Sequence, residues 1–220
     1  MPPSLIIFDL DGTLIDSAAD LATAVNAMLA DLGAEPLSVP EVRRMIGDGV
    51  AMLVARALAA RQCERADAAE SARSFMRYYE SDATSLTTAF PGVREALQAL
   101  RDAGIPLAVC TNKPARISAH ILESVGIAGY FARVIGGDSL PFRKPDPRML
   151  LTLVEAFATG PGSSLLVGDS EVDAATAQAA GVPFVLMKHG YRRGAAEDIA
   201  CVAALDDFAQ LPALIGELPR

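Results

Sequence analysis

The sequence predicts an α/β protein, with a doubly wound parallel sheet and an all-helical domain inserted after the first strand. Three observations predict this fold class. Wholly apolar segments such as residues 5–8 are typical of strands buried on both faces. Between residues 89 and 220 such segments alternate with helical patterns, as crossover units of a parallel sheet do. Residues 17–88 carry helical patterns alone. We therefore predict a Rossmann-like core of residues 1–16 and 89–220 and a helical domain of residues 17–88.

The helical domain is predicted from apolar spacing and from end signals. The first helix begins near Ser17 and ends before Gly33, which suits a left-handed C-terminal position. The second begins at Ser38, where Glu41 completes a capping-box pattern. Two further helices are predicted for residues 50–62 and 66–82.

The core is predicted as alternating helices and strands after a break at residues 90–92. Its first strand lies earlier, at residues 4–9. The later strands are predicted at residues 106–111, 134–135, 164–168 and 183–187. The helices of the core are predicted at residues 92–103, 115–125, 147–158, 172–180 and 206–216.

Charge, cysteine content and hydropathy exclude several classes of protein. The 220 residues carry a net charge of −8, which argues against a nucleic-acid surface but leaves a small anionic substrate possible. The three cysteines are too widely spaced for a zinc site. The N-terminal residues lack a signal sequence and no apolar run reaches membrane-spanning length. We expect a cytoplasmic protein without membrane or nucleic-acid partners, either a monomer or a homodimer.

Polar residues follow several predicted strands, where doubly wound sheets bind their ligands. Asp9 and Asp11 follow the first strand, and two carboxylates so close repel each other unless a cation lies between them. Other candidates follow later strands or lie in a loop. They are Thr111, Asn112, Lys113, Lys144, Asp169 and Asp173.

These residue types suit phosphoryl transfer. Asp9, Asp169 and a main-chain carbonyl could hold Mg²⁺, which prefers oxygen ligands. A carboxylate can attack phosphorus, and a second one can exchange protons with the leaving group and with water. Three further residues could hold the phosphoryl oxygens. They are Thr111, Asn112 and Lys144. Lys113 either contacts phosphate or lies at the surface.

Four segments together resemble the motifs of the haloacid dehalogenase-like hydrolases. They are DLDGT, TNK, RKPDP and GDSEVD, and the resemblance covers essentially the whole chain. It implies that Asp9 is the nucleophile, and that Asp11 is the general acid/base and gives its carbonyl to Mg²⁺. It further implies the remaining roles: phosphate binding by Gly12, Thr111 and Lys144, metal binding by Asp169, and support of the metal site by Asp173. Residues 17–88 would then be the helical cap of that family, hinged near residues 14–18 and 84–90.

A narrower resemblance, to bacterial phosphoglycolate phosphatases, rests on VRRMIGDGVAMLVARAL, CTNKP and GGDSLPFRKPDP. It implies Mg²⁺-dependent hydrolysis of 2-phosphoglycolate. The alternatives are a phosphatase acting on another metabolite, such as N-acetylmuramic acid 6-phosphate, a pyrophosphatase and a sugar phosphomutase. Asp11 argues against a dehalogenase, and the lack of lysine in residues 17–88 argues against a phosphonate-cleaving relative. Arg43 and Arg44 either form a solvated helix face, which we favour, or reach a substrate carboxylate.

Overall fold

The computed structural model describes residues 2–63 and 65–217, and it confirms the predicted α/β fold class. Six strands form one parallel sheet in the order β5-β4-β1-β6-β7-β8, and two short strands form a separate antiparallel pair. The strands are β1 (Leu5–Phe8), β2 (Ile15–Asp16), β3 (Thr88–Ala89), β4 (Leu107–Cys110), β5 (Arg133–Ile135), β6 (Ser164–Gly168), β7 (Phe184–Met187) and β8 (Ala203–Leu205).

The helices lie between and after these strands. Their bounds are α1 (Ala18–Asp31), α2 (Val39–Arg43), α3 (Val50–Ala60), α4 (Ala68–Ser81), α5 (Val93–Asp102), α6 (Ala115–Ser124), α7 (Arg148–Ala156), α8 (Glu171–Ala180) and α9 (Leu211–Glu217). The first four form a continuous helical unit between β2 and β3. Each helix of the described residues corresponds to a helical stretch predicted from the sequence. The largest difference is at α9, which begins at Leu211 whereas the predicted helix begins at residue 206.

Strand β1 is apolar throughout because it lies between neighbours in the sheet and between two apolar layers. Ile7 pairs with Ala108 of β4 on one side and with Leu166 of β6 on the other. Alternate residues of the strand face opposite layers: Ile6 and Phe8 belong to one core cluster and Leu5 and Ile7 to the other. Helices α7 and α8 cover the second cluster, and α5, α6 and α9 cover the first. No polar residue fits this strand until it ends.

The two junctions between the sheet and the helical unit pair with each other. Ile15 pairs with Ala89, and Asp16 pairs with Thr88, in antiparallel register. The sequence did not predict this pair, because two-residue strands are too short to show an alternating pattern. The pair lies within the segments 14–18 and 84–90 that the sequence marks as hinges.

The end signals of the helical unit are partly confirmed. Ser38 and Glu41 form the predicted capping box at the start of α2. Ser17 does precede α1, but its side chain does not cap that helix. The Ser17 hydroxyl donates to Asp11 instead, and the Tyr191 hydroxyl accepts from the main-chain N–H groups of Ser17 and Ala18. The start of α1 is therefore held by Tyr191, from the loop after β7.

Two elements near the C-terminus were not predicted. Strand β8 at the sheet edge is built from two alanines and a leucine, which carry no strand signal. A 3₁₀ turn over Phe208–Gln210 precedes α9 and buries Phe208 completely. Across residues 2–63 and 65–217, no helix has the length and apolar character that crossing a bilayer requires.

Candidate active site

Two central strands, β1 and β6, and the helix that follows β6 bring the predicted acidic residues together. Asp9 directly follows β1, and Asp169 directly follows β6, its neighbour in the sheet. The Asp9 N–H donates to the Val167 carbonyl at 2.9 Å, which continues the pairing beyond the strand. Asp173 lies in the first turn of α8 and faces the same point. One carboxylate oxygen from each of these three residues lies within 4.8 Å of the other two.

A single buried lysine neutralises part of this acidic cluster. The Lys144 ammonium donates to Asp9 Oδ1 at 2.6 Å and to Asp173 Oδ1 at 2.5 Å. Asp9 Oδ2 accepts no hydrogen bond from any residue that the structure describes. Two of the three carboxylates thus share one ammonium, and one oxygen of Asp9 stays open.

Burial and the charges of neighbouring residues shift the pKa values of the residues in this cluster. Burial raises the pKa of Asp9 to about 7, and Asp173 and Asp11 add to the rise while Lys144 opposes it. Burial, followed by the charges of Asp173 and Asp9, raises the pKa of Asp169 well above its usual range. Although burial opposes it, the charges of Asp173 and Asp9 raise the pKa of Lys144. Lys144 therefore stays charged, and the acids lack sufficient positive charge around them.

These residues fit a divalent cation that prefers oxygen ligands. The donor set consists of buried carboxylates, and their charge exceeds that of the one ammonium in contact with them. A main-chain carbonyl is also available, because the Asp11 carbonyl accepts no hydrogen bond within the described chain. Asp9, Asp169 and the Asp11 carbonyl form the predicted ligand set. Asp173, predicted to support the metal site, is itself a member of the acidic cluster.

Asp169 is held by residues that the sequence analysis missed. Thr13 Oγ1 donates to Asp169 Oδ1 at 2.8 Å, and the Tyr191 N–H donates to Asp169 Oδ2 at 2.5 Å. A Cβ at Gly190 would lie 2.2 Å from the Asp169 Cβ, so only glycine lets this loop approach. Thr13 lies beside the first motif, and Tyr191 lies in the loop after β7. The place of Tyr191 in the loop after a predicted strand was the signal in the sequence that could have marked it as a site residue.

Gly12 has a packing role rather than the predicted contact with phosphate. Its N–H donates to the Ile15 carbonyl at 2.9 Å, so its only donor is used within the chain. Its φ of +88° is one that other residues rarely adopt. An added Cβ would lie 2.5 Å from Asp169 Oδ2. Gly12 therefore allows Asp169 to reach the acidic cluster.

Asp173 makes two kinds of contact, one at the start of α8 and one with Lys144. Its Oδ2 accepts from the Ser170 hydroxyl at 2.6 Å and completes a capping box at the start of α8. Its Oδ1 accepts from Lys144. The helix cap thus fixes the carboxylate that holds Lys144 in place.

The second aspartate of the first motif lies in a separate network. Asp11 accepts from the Lys113 ammonium at 2.8 and 3.1 Å and from the Ser17 hydroxyl at 2.5 Å. Lys113 is 5% exposed, so the surface position considered for it is wrong. Its ammonium also donates to the Tyr79 hydroxyl at 2.5 Å. Tyr79, from helix α4, was not predicted as a site residue, although its i, i+4 spacing from the buried Phe75 indicates that it faces inward.

Thr111 and Asn112 follow β4 and differ in what they offer to a ligand. The Thr111 hydroxyl accepts from the Lys113 N–H at 3.2 Å, and its own proton has no acceptor among the residues described. The Asn112 amide donates to the carbonyls of Lys144 and Gly47 at 2.9 and 3.0 Å. It also accepts from the Lys144 N–H. Its side chain therefore positions the lysine loop and has no amide proton left for a phosphoryl oxygen, and the contact of Asn112 with phosphate stays a prediction.

A cavity of about 40 Å³ lies between the sheet and the helical unit. Asp9, Asp11, Thr111 and Lys113 line it from the sheet side. The helical unit contributes mainly apolar side chains and glycines. They are Leu21, Ile46, Gly47, Gly49, Val50, Leu53 and Tyr79. The cavity is thus polar at the strand ends and largely apolar opposite them.

Arg43, whose role the sequence left open, does not line this cavity, and neither does His189 from the loop after β7. Arg43 pairs with Asp16 at 2.9 Å and lies over the Tyr191 ring, and Arg44 is exposed. His189 packs between Phe90 and Phe208, and its Nε2 lies 3.2 Å from the Thr13 carbonyl. Both positions suit packing at the junction of the helical unit and the sheet.

Comparison with known proteins identifies the family. The model of the haloacid dehalogenase-like hydrolases matches residues 6–187. A phosphoglycolate phosphatase of Cereibacter sphaeroides is 45% identical over 216 residues, which are 97% of this chain and 98% of that protein. One of Rhodospirillum rubrum is 42% identical over 220 residues, which are 97% and 91% of the two chains.

A solved structure agrees with this match. The crystal structure of a predicted phosphoglycolate phosphatase from Haemophilus somnus superposes with a TM-score of 0.91 at 35% identity. The match covers 96% of this chain and 97% of that one. The resemblance seen in the four motifs is therefore confirmed over nearly the full length, and this chain belongs to the haloacid dehalogenase-like hydrolases.

Proposed function

We propose that this enzyme is a Mg²⁺-dependent phosphatase that hydrolyses 2-phosphoglycolate to glycolate and phosphate through an aspartyl-phosphate at Asp9. The observation that carries the proposal is the meeting of Asp9, Asp169 and Asp173 around a point that one ammonium neutralises only in part. The named relatives support the substrate, because two of them at 42–45% identity are phosphoglycolate phosphatases.

Asp9 is the residue placed to attack phosphorus. Its Oδ1 is fixed by Lys144, its Oδ2 accepts no hydrogen bond from the described residues, and the residue lines the cavity. Attack by this carboxylate forms the phosphoryl–Asp9 bond and releases the glycolate oxygen. Asp9, Asp169 and the Asp11 carbonyl would hold Mg²⁺, which would supply positive charge to the phosphoryl oxygens.

Asp11 and Thr111 complete the reaction. Lys113 and Ser17 orient the Asp11 carboxyl, which in its protonated form gives a proton to the leaving oxygen and, once ionised, takes one from the attacking water. The free proton of Thr111 and the third proton of Lys144 serve as donors to the phosphoryl oxygens. Catalysis by such a site rests on positioning and charge.

The cavity supports a compact substrate. At about 40 Å³ it has room for only a few waters in this conformation. We propose that the helical unit α1–α4 acts as a cap, and that the segments 14–18 and 84–90 open it to admit substrate. The proposed partner is thus a small phosphorylated anion. The cytoplasmic location and the choice between monomer and homodimer stay predictions.

Steady-state kinetics on a substrate panel test the proposal. The panel contains 2-phosphoglycolate, N-acetylmuramic acid 6-phosphate, β-glucose 1-phosphate and pyrophosphate. We expect the highest kcat/KM on 2-phosphoglycolate and no turnover after Mg²⁺ is chelated. A higher kcat/KM on another compound would refute the substrate, and full activity in chelator would refute the metal.

Variants test the assigned residues. Asp9→Asn should abolish turnover while the protein stays folded, and Asp11→Asn should lower kcat by roughly 10²–10⁴-fold. Asp206→Asn is the matched control, because Asp206 is an exposed acid that pairs with Lys188 and does not line the cavity. Turnover by Asp9→Asn at the rate of the control would remove Asp9 as nucleophile.

A further inference from the structure

We propose that Tyr79 is a specificity-determining residue, whose hydroxyl donates a hydrogen bond to the carboxylate of the substrate while Asp9 and its metal bind the phosphoryl group. The inference rests on the proposed function and extends it to the other end of the substrate. It assigns a task to the helical unit, which provides one whole wall of the cavity.

Tyr79 is rigidly held. It is 1% exposed, and its ring stacks on Phe75 of the same helix with 5.5 Å between centroids. The Lys113 ammonium lies 4.7 Å from the centroid of the ring and donates to the hydroxyl oxygen at 2.5 Å. Contacts with both helix α4 and the loop after β4 thus fix the position of the hydroxyl.

The Tyr79 proton is free for a ligand. Its oxygen accepts from Lys113, and no acceptor for its own proton occurs among residues 2–63 and 65–217. A buried hydroxyl proton without a partner is costly, and a ligand in the cavity supplies the missing acceptor. Of the cavity-lining residues named above from the helical unit, Tyr79 alone has a polar side chain.

The neighbours of Tyr79 make it a donor suited to an anion. The ammonium of Lys113 polarises the phenol, which strengthens the bond that the O–H group can donate. Burial raises the pKa of Tyr79 to about 12, so the proton is present at neutral pH. Lys113 itself is occupied by Asp11 and cannot leave that carboxylate without unpairing it.

The position of Tyr79 matches the shape of 2-phosphoglycolate. The carbon next to the leaving oxygen carries the carboxylate, so the group that protonates the leaving oxygen lies close to that carboxylate. Asp11 has this task in the proposed mechanism, and one ammonium joins Asp11 to Tyr79. A phosphate ester without the carboxylate gives Tyr79 no charged acceptor.

Two substrates separate this role from a structural one. They are 2-phosphoglycolate and 2-hydroxyethyl phosphate, in which a neutral hydroxymethyl group replaces the carboxylate. For Tyr79→Phe we expect kcat/KM on 2-phosphoglycolate to fall about 10- to 100-fold, mainly through KM, as loss of a hydrogen bond to a charged group predicts. On 2-hydroxyethyl phosphate we expect a change of less than about threefold.

Tyr78→Phe is the matched control. Tyr78 is the preceding residue of α4, and its exposed hydroxyl donates to Asp31 at 2.8 Å, outside the cavity. We expect this variant to match the wild type on both substrates. Inhibition by glycolate gives a second readout that does not depend on turnover, and Tyr79→Phe should weaken it by the same factor as kcat/KM. Thermal unfolding checks that both variants are folded.

Two results would overturn the proposal. An equal fall on both substrates would show that Tyr79 acts only through Lys113 and Asp11. Unchanged kcat/KM on both substrates would show that the carboxylate is bound elsewhere. Failure of the proposed function looks different, because the wild type itself would then prefer 2-hydroxyethyl phosphate or hydrolyse neither compound.

Discussion

Replacing Lys144 by methionine tests the electrostatic basis of the site. Among the residues that the structure describes, this ammonium is the one positive group in contact with Asp9 and Asp173, and it is almost fully buried. Removing one partner of a buried ion pair costs about 3–5 kcal/mol, because the remaining charge is left without compensation. We expect a loss of this size in the free energy of unfolding at pH 8 without metal.

The raised pKa of Asp9 determines how the free energy of unfolding changes with pH. The pKa of Asp9 is raised from 3.8 to about 7, so between these values the folded protein holds a proton that the unfolded chain releases. Stability of the metal-free wild type therefore falls as pH rises through this interval. Loss of Lys144 raises the pKa of Asp9 further and extends the fall to higher pH. Each additional proton held changes stability by about 1.4 kcal/mol per pH unit.

Urea unfolding between pH 5 and pH 8, with and without Mg²⁺, measures the effect. The deficit of Lys144→Met should be largest at pH 8, should shrink toward pH 5, and should be partly restored by Mg²⁺. Lys188→Met is the control, because Lys188 pairs with a largely exposed Asp206 and should change stability by less than about 1 kcal/mol. A deficit that is equal at every pH, or absent, would refute the reasoning.

Three further predictions concern residues around the site. Gly12→Ala should weaken Mg²⁺ binding by at least about tenfold, measured by calorimetry, because its Cβ displaces Asp169; unchanged affinity would contradict this. Asn112→Ala should cost about 2–3 kcal/mol in urea unfolding and lower kcat, because the main-chain N–H and carbonyl of Lys144 lose their partners in the Asn112 side chain; a variant as stable and active as the wild type would contradict it. Cys110 should resist a thiol reagent at pH 8 until the protein unfolds, because burial raises its pKa to about 12; rapid labelling of the folded protein would show that the strand is open.

Elements with a strong periodic or apolar signal were predictable from the sequence. Strand β1 has no polar face, and the carboxylates that follow it mark where it ends. Strand β8 and the pair β2–β3 were not predictable, because their short segments pair only once the rest of the sheet and the helical unit are in place. For Ser17, a tertiary partner, Asp11, replaces the local cap that the sequence suggests.

In the site too, the motif residues were predictable from the sequence and the residues that support them were not. The motif residues Asp9, Asp169 and Lys144 meet as the sequence predicts. Their supporting residues belong to other parts of the chain, and nothing in the sequence links Tyr191 to Asp169 across 22 residues. Side-chain hydrogen bonding also decides what a motif residue does, as the fully used amide of Asn112 shows.

Chemical trapping of the phosphorylated enzyme tests the central claim most directly. Borohydride reduces an aspartyl-phosphate to homoserine, and mass spectrometry then locates the modified residue. With 2-phosphoglycolate and Mg²⁺, we expect homoserine at position 9 in the wild type and none in Asp9→Asn. Modification at another carboxylate, or rapid turnover with no trapped residue, would contradict the assignment of Asp9 as the nucleophile.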